Sequence, residues 1–259
     1  MNYDKLIDLI YEAYYDCRKN KKRKKSSIEY SWEYEKNLNN LTLELLNGTY
    51  KPTTSIVFPV TRPKLREIFA ANFRDRIVHH LLINKFGKII DNEMIEDSYN
   101  CRKGKGLFHG INRLKEEIER LSENYTKEVY VLNGDIEGFF MSIDKNKLWQ
   151  MLEYIIRDNY KESDIEWWLK LFKIVIMHRP ELDCTIHGDA NLLKKLPNNK
   201  TLFKTNGKGL PIGNLPSQIC GNLYRTPFDK KIIEELNGKG FYCVFVDDFR
   251  IVSCNKKLL

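Results

Sequence analysis

The sequence predicts an α+β fold, and three observations carry that expectation. Phe241–Ser253, FYCVFVDDFRIVS, reads as a strand, a tight turn carrying Asp247 and Asp248, and a second strand, because apolar, β-branched and aromatic residues flank both carboxylates. Glu128–Ile143, EVYVLNGDIEGFFMSI, sets the short apolar run Val129–Leu132 just before Asp135. Elsewhere apolar residues recur at spacings of three and four, the period of a helix with one buried face.

Composition bounds the rest. The 259 residues suffice for one large or two small domains, and 42% hydrophobic with 30% charged residues is a globular balance. No run of 18 apolar residues occurs, so no membrane span or membrane partner is expected. The N-terminus MNYDKLIDLI is amphipathic and unlike a signal peptide. Six cysteines without a C-x-x-C pair read as reduced, mostly buried thiols of an intracellular protein. A net charge of +8 suits a polyanionic partner.

Taken in order, Leu6, Leu9, Ile10, Ala13, Tyr14 and Cys17 form one helical face. The run RKNKKRKK follows; Arg18, Lys21, Lys22, Arg23, Lys24 and Lys25 are candidates for nucleic-acid contact, against the alternative of a solvated loop. Tyr34, Leu38, Leu41 and Leu45 make a second stripe, closed by Gly48. Tyr50–Val60, with Pro52 and Pro59, reads as an extended edge segment. Arg62–Leu82 begins strand-like and ends as a helix whose face is Ile77, Val78, Leu81, Leu82 and, beyond it, Phe86. Lys64, Arg66, Arg74 and Arg76 offer cations suited to phosphate, or surface partners for Glu67 and Asp75. His79 and His80 sit among apolar residues and are read as structural.

Asp97–Gly106, DSYNCRKGKG, is a basic glycine-bearing loop before an amphipathic helix built on Leu107, Ile111, Leu114, Ile118 and Leu121. Asp144 is an expected N-cap for a helix from about Lys145 to Arg157. Asp164–Met177 reads as a core helix and Arg179–Thr205 as loops or short strands, with no zinc-type spacing at Cys184 and His187. A helix starts near Leu215–Pro216, buries Ile219, Leu223, Phe228, Ile232 and Leu236, and carries Pro227 as a kink.

The chemistry lies in the carboxylates. Adjacent like charges at Asp247 and Asp248 repel unless a cation sits between them, and hard Mg²⁺ takes carboxylate and phosphate oxygens. A plain hairpin turn, where Asp is common, is the competing reading. Two metals about 3.5–4 Å apart can clamp an in-line phosphoryl displacement. That arrangement needs carboxylates from separate strands, and Asp135 with Asp247 would supply them.

Asp135 with Phe140 five residues on, then GLPIGNLPSQ (Gly209–Gln218), then FVDD (Phe245–Asp248), resembles the ordered motif set of reverse transcriptases. LPIGN followed by SQ, SYNCRKGKG and REIFAANFRDRIVHHLL resemble the diversity-generating retroelement type among group II intron-like bacterial enzymes, over essentially the whole chain. The resemblance implies a right-hand polymerase core, with palm and fingers and an antiparallel palm sheet packed on helices. It implies an N-terminal helical extension over 1–48, fingers over 49–128 and a palm over 129–259 with a fingers-side insertion at about 151–206. Asp135 and Asp247 are then metal ligands with the Ile136 main-chain carbonyl, and Asp248 supports them. The cofactor is a pair of Mg²⁺ ions, with Mn²⁺ as an alternative. Lys64, Arg66 and Arg102 would meet triphosphate or template, Phe140 would be the steric gate against a ribose 2′-hydroxyl, and Ile212, Gly213 and Gln218 would line the nascent pair.

The implied partners are an RNA template, a DNA or RNA primer, dNTPs and a pentameric accessory variability protein, in a bacterial or phage-encoded cytoplasmic setting. Three positions depart from the common pattern. Ile212-Gly213 replaces Gln-Gly, Ser217-Gln218 replaces Ser-Pro, and Pro216 stands where Thr is frequent. The aliphatic residue at Ile212 is linked with miscopying opposite adenines. The sequence given stops twelve residues after Asp247, so the thumb is expected to be absent from it. Two other readings remain, another bacterial reverse transcriptase of intron or phage-defence type, and a catalytically silent RNA-binding scaffold.

Overall fold

In a computed structural model, which describes residues 1–19 and 21–259, the expected α+β architecture is present. Asn20, inside the basic run, lies outside the described residues. The elements run α1 (Tyr3–Arg18), α2 (Lys25–Trp32), α3 (Tyr34–Leu46), β1 (Ser55–Val60), β2 (Arg66–Ala70), α4 (Phe73–Glu93), α5 (Leu107–Leu121) and β3 (Tyr130–Asp135). They continue α6 (Phe139–Ser142), α7 (Lys145–Asn159), α8 (Ile165–Met177), β4 (Cys184–Ile186), α9 (Ala190–Lys194), α10 (Leu215–Leu236), β5 (Phe241–Phe245) and β6 (Asp248–Ser253). The chain divides into two compact units, residues 1–89 with 140–218 and residues 90–139 with 219–259.

In the first unit the α1 face is buried as its spacing requires, through Leu6, Ile10, Ala13, Tyr14 and Cys17, beside Leu38, Leu41 and Leu45 of α3. Tyr14 stacks on Tyr34 with ring centroids 5.5 Å apart. Phe86 of α4 meets the edge of Trp168 and the face of Phe172 on α8, so the aromatic run of α8 is core, as its composition implies. Asp144 caps α7 by accepting from the backbone N–H groups of Asn146 (2.9 Å) and Lys147 (3.2 Å). Those N–H groups, that of Lys147 foremost, hold its carboxyl below the usual range. Gly48 follows α3 at φ +67 and ends it.

Two local expectations need correction, and one helix went unread. α2 was not legible, because Lys25–Trp32 buries only Ser27 and has no apolar stripe. β1 is the middle strand of a sheet ordered β2-β1-β4 and not an edge. Pro59 is tolerated there because β4 is short and pairs in parallel only with Ser55–Val57, leaving Pro59 opposite Glu67 of β2 alone. Phe228 on α10 is 44% exposed and lies outside the buried face, which is Ile219, Cys220, Leu223 and Leu236.

His79 is buried, with its Nδ1 unpartnered, and burial is the main cause that pushes its pKa down to about 3. A pKa below the unfolded value near 6.5 means that the unfolded chain binds a proton the folded chain refuses. This contribution to stability is therefore complete above about pH 6.5 and shrinks as the pH falls toward 3. Between pH 6.5 and 5 the wild type should lose up to about 1.4 kcal/mol per pH unit more than a His79→Phe variant, measured as urea midpoints.

In the second unit the sheet runs β3-β6-β5, antiparallel throughout. One face packs through Tyr242, Val244 and Ile251 with Leu236 of α10 and Ile95. The other packs through Phe241, Cys243 and Val252 with Tyr99 and with Leu114, Ile118 and Leu121 of α5. The segment before α5 borders β5, where Val244 N–H donates to the Asp97 carbonyl (2.9 Å) and Tyr99 N–H to the Val244 carbonyl (3.1 Å). No helix among the described residues is long and apolar enough to cross a membrane.

Candidate active site

The carboxylates belong to the second unit. β3 ends on Asp135, and the register sets Asp135 directly opposite Asp248, the first residue of β6. Residues so paired project from the same face with Cβ atoms about 4.5–5.5 Å apart. The turn is therefore Val246–Asp247, one residue earlier than the sequence suggested, and Asp248 already sits on the strand. The Ile136 N–H donates to the Asp247 carbonyl at 3.2 Å, which ties the residue after Asp135 to the turn. Alternation places Asn133, Asp135, Asp248 and Arg250 on one face, with Asn133 opposite Arg250, and both Asp135 and Asp248 are exposed. The opposite face is closed, for an added Cβ at Gly134 would fall within the Phe249 ring paired across from it. Three carboxylates thus gather at one end of one sheet.

The donor set is oxygen only. Among the described residues no group of three or more His, Cys, Asp or Glu side chains is arranged to hold a metal. Mg²⁺ does not need such a cage, since it keeps several waters and binds through one or two carboxylates plus substrate phosphates. Asp135, Asp247 and the Ile136 carbonyl fit that requirement in kind.

Arg102 also lies in this unit, but its guanidinium is engaged inside the protein. Its side chain is 6% exposed, pairs with Asp91 through Nε (2.6 Å) and a terminal nitrogen (3.1 Å), and donates to the carbonyls of Ile95 and Ser98. Asn222 of α10 adds a bond to the Asn100 carbonyl at 2.7 Å. Arg102 therefore staples the loop Asp97–Gly106 and is not offered to a ligand. The sequence shows a basic loop but not where its backbone carbonyls fall.

The first unit holds the remaining candidates. Lys64 and Arg66 are exposed at the start of β2, whose alternation turns Glu67 and Phe69 inward. Glu67 is accordingly no surface partner for arginine, because it accepts from Thr201 Oγ1 and the Leu202 N–H, both at 2.8 Å. Burial is the leading effect on its carboxyl and pushes the pKa up. Asp75 does pair with Arg74 (3.0 Å), whereas Arg76 donates to the Ala71 carbonyl (2.7 Å). The Phe69 N–H donates to the Ile212 carbonyl at 2.8 Å, so the strand that carries Arg66 is joined to the glycine motif. Gly213 has φ +115, and a Cβ there would lie 2.8 Å from the Phe69 carbonyl oxygen. That close approach explains the glycine from within the fold. Gln218 lies in the first turn of α10. Phe139 and Phe140 share the short α6; Phe139 is buried and Phe140 half-buried.

In the basic run Arg18 ends α1, Lys22, Arg23 and Lys24 are exposed, Lys21 is half-buried, and Lys25 opens α2 with Glu29 3.8 Å away. Sequence reasoning passed over Arg225 and Asp229 of α10. Their i, i+4 spacing inside an apolar helix is a readable sign of a buried pair.

Residues 51–259 match the sequence family described as reverse transcriptase (RNA-dependent DNA polymerase). The chain belongs to the reverse transcriptase family. No protein of curated function matches it. Among solved structures, an apo telomerase from Candida tropicalis truncated from its C-terminal domain is similar over 80% of this reverse transcriptase and 44% of the telomerase chain, at 12% identity and a TM-score of 0.52. A partial Cas6-RT-Cas1–Cas2 complex is similar over 98% of this chain and 38% of the other, at 19% identity and a TM-score of 0.48. The chain thus spans less than half the length of either structure, and at these identities the likeness concerns the fold.

Proposed function

We propose that this reverse transcriptase adds dNTPs to a primer 3′-hydroxyl on an RNA template. The observation that carries the reading is the meeting of Asp135, Asp247 and Asp248 at one end of the β3-β6-β5 sheet. Asp135 and Asp247, with the Ile136 carbonyl, would hold two Mg²⁺ ions, and Mn²⁺ would serve in their place. Bound there, the ions supply Lewis-acid stabilisation of the attacking and leaving oxygens. The chain's own contribution is orientation. The antiparallel register fixes Asp135 against Asp248, and the Ile136–Asp247 backbone bond fixes the turn. Exposed Lys64 and Arg66 offer charge to a triphosphate, and Phe140 stands as the gate against a 2′-hydroxyl. The exposed cations from Lys22 to Lys24 supply salt-sensitive contact to the nucleic-acid backbone. Primer extension on an RNA template with Mg²⁺ tests the reading. No incorporation under any divalent metal, with nucleic-acid binding unchanged in Asp247→Asn, favours the silent RNA-binding scaffold, and incorporation without divalent metal overturns the two-metal reading.

Within the family we infer the diversity-generating retroelement type, which would copy a template-repeat RNA with an accessory pentameric protein in the cytoplasm of a bacterium. The support is Ile212 in the place where a hydrogen-bonding Gln is usual. An aliphatic side chain offers the nucleotide no polar contact, and such a contact is worth about 1 kcal/mol. Ile212→Gln should therefore lower misincorporation opposite template adenine by about tenfold or less, read by sequencing the cDNA. An unchanged adenine error rate argues for another bacterial type.

A further inference from the structure

The turn that carries Asp247 has an unusual residue at its first central position. Val246 adopts φ +62, and Asp247 is not among the residues with positive φ. Positive φ at the first of two central residues alone is the pattern of a type II′ turn, where glycine is the usual occupant. A β-branched residue is strained there and stays only if its surroundings dictate the backbone. The same two residues have a neighbouring alternative. Rotating the Val246–Asp247 peptide plane gives a type I′ turn, with positive φ at Asp247 as well. The atom that reports which way this plane faces is the Val246 carbonyl oxygen.

That oxygen is held. Arg225 of α10 donates to it at 2.7 Å from one terminal nitrogen. Its other terminal nitrogen donates to Tyr242 Oη (2.6 Å) and its Nε to Asp229 Oδ1 (2.8 Å), while Tyr242 O–H donates to the same Asp229 oxygen (2.5 Å). The side chains of Arg225 and Asp229 are 2% and 3% exposed. The guanidinium also lies 5.2 Å from the Phe249 ring centroid and 5.8 Å from that of Phe228. All three edges of the fork are therefore assigned, and its position is fixed by a carboxylate, a phenol and two rings. A fork so immobilised holds one of its N–H groups on the Val246 carbonyl.

We propose that Arg225 is a positioning residue for the proposed metal-binding turn, its buried guanidinium selecting the II′ backbone at Val246 and so aiming Asp247. The inference rests on the polymerase reading for its consequence, but the clamp is observable without it. A lysine cannot replace the arginine, since an ammonium on a flexible stem does not fill three fixed directions at once.

Removing one member of the pair would leave the other charged and buried, so the test replaces both, Arg225→Met with Asp229→Leu, a swap that folded proteins often tolerate. In the full chain without substrate, amides of residues 245–250 should exchange hydrogen about tenfold faster, with α5 unchanged. In primer extension, kcat should fall by about 100-fold while KM for dNTP stays near the parent value. Adding Val246→Gly, which favours II′ without a clamp, should recover most of that loss. Turn exchange equal to the parent overturns the proposal, and so does a loss of kcat that Val246→Gly leaves unrepaired. A parent chain that extends no primer but whose turn exchanges faster in the double variant refutes the polymerase reading and supports the clamp.

Discussion

Asp247→Asn should abolish primer extension, lowering kcat by about 1,000-fold or more, while leaving the affinity for primer–template within about threefold of the wild type. The amide is nearly the size of the carboxylate, so the hairpin is kept. What disappears is the negative charge that the proposed divalent-cation site would require here. The residue's position sets the size of the effect. Asp247 lies in the two-residue turn, and its carbonyl is fixed by the Ile136 N–H. Asp248 occupies the strand position opposite Asp135. On the proposed reading Asp248→Asn should cost less, about 10- to 100-fold, because Asp248 would shape the field without bridging the two ions. Raising Mn²⁺ in place of Mg²⁺ should recover part of the Asp248→Asn loss and little of the Asp247→Asn loss. Single-nucleotide incorporation on an RNA template separates these outcomes. Equal activity of wild type and Asp247→Asn would remove the polymerase reading altogether.

The parts of this molecule that were legible in its sequence are those governed by local rules. The stripe of α1, the cap at Asp144, the core helix α8 and the strand ending at Asp135 all follow from periodicity or from one side chain meeting its own backbone. The motif order around Asp135, Gly209–Gln218 and Phe245–Asp248 was legible for the same reason, because each motif is contiguous. What escaped depends on distant partners. β1 is central only because β4, well over a hundred residues later, pairs beside it. Glu67 reads as a surface acid until Thr201 and Leu202 are brought to it. Arg102 reads as a phosphate ligand until Asp91 and the Ile95 and Ser98 carbonyls are seen to occupy it. Arg225 is the instructive case, since its spacing to Asp229 is local but its target, the Val246 carbonyl, lies beyond the end of its own helix.

Asp75→Ala should be the most damaging substitution remote from the carboxylates, destabilising the protein by about 3–5 kcal/mol. Asp75 is 1% exposed and joins α4 to the chain that leads into β1. It accepts from Tyr50 O–H (3.0 Å), from the Thr53 N–H (2.8 Å) and hydroxyl (2.6 Å), and from Arg74 (3.0 Å), which also pairs with Glu44 of α3. Truncation leaves a buried phenol, a backbone N–H and an arginine to find partners where Tyr50 is itself only 3% exposed. For a chain of this size such a loss corresponds to a fall in Tm of about 6–15 °C. Asp75→Asn is the informative companion. It keeps one acceptor oxygen for Thr53 but withdraws the charge that faces Arg74, so it should recover about half of the loss. Thermal unfolding of both variants distinguishes this account from simple cavity formation, which predicts that the isosteric asparagine recovers nearly all of the loss. Phe140, Ile212 and Gly213 share a unit with this knot, so Asp75→Ala should also soften the glycine motif, read as faster hydrogen exchange at the Phe69 N–H that donates to Ile212.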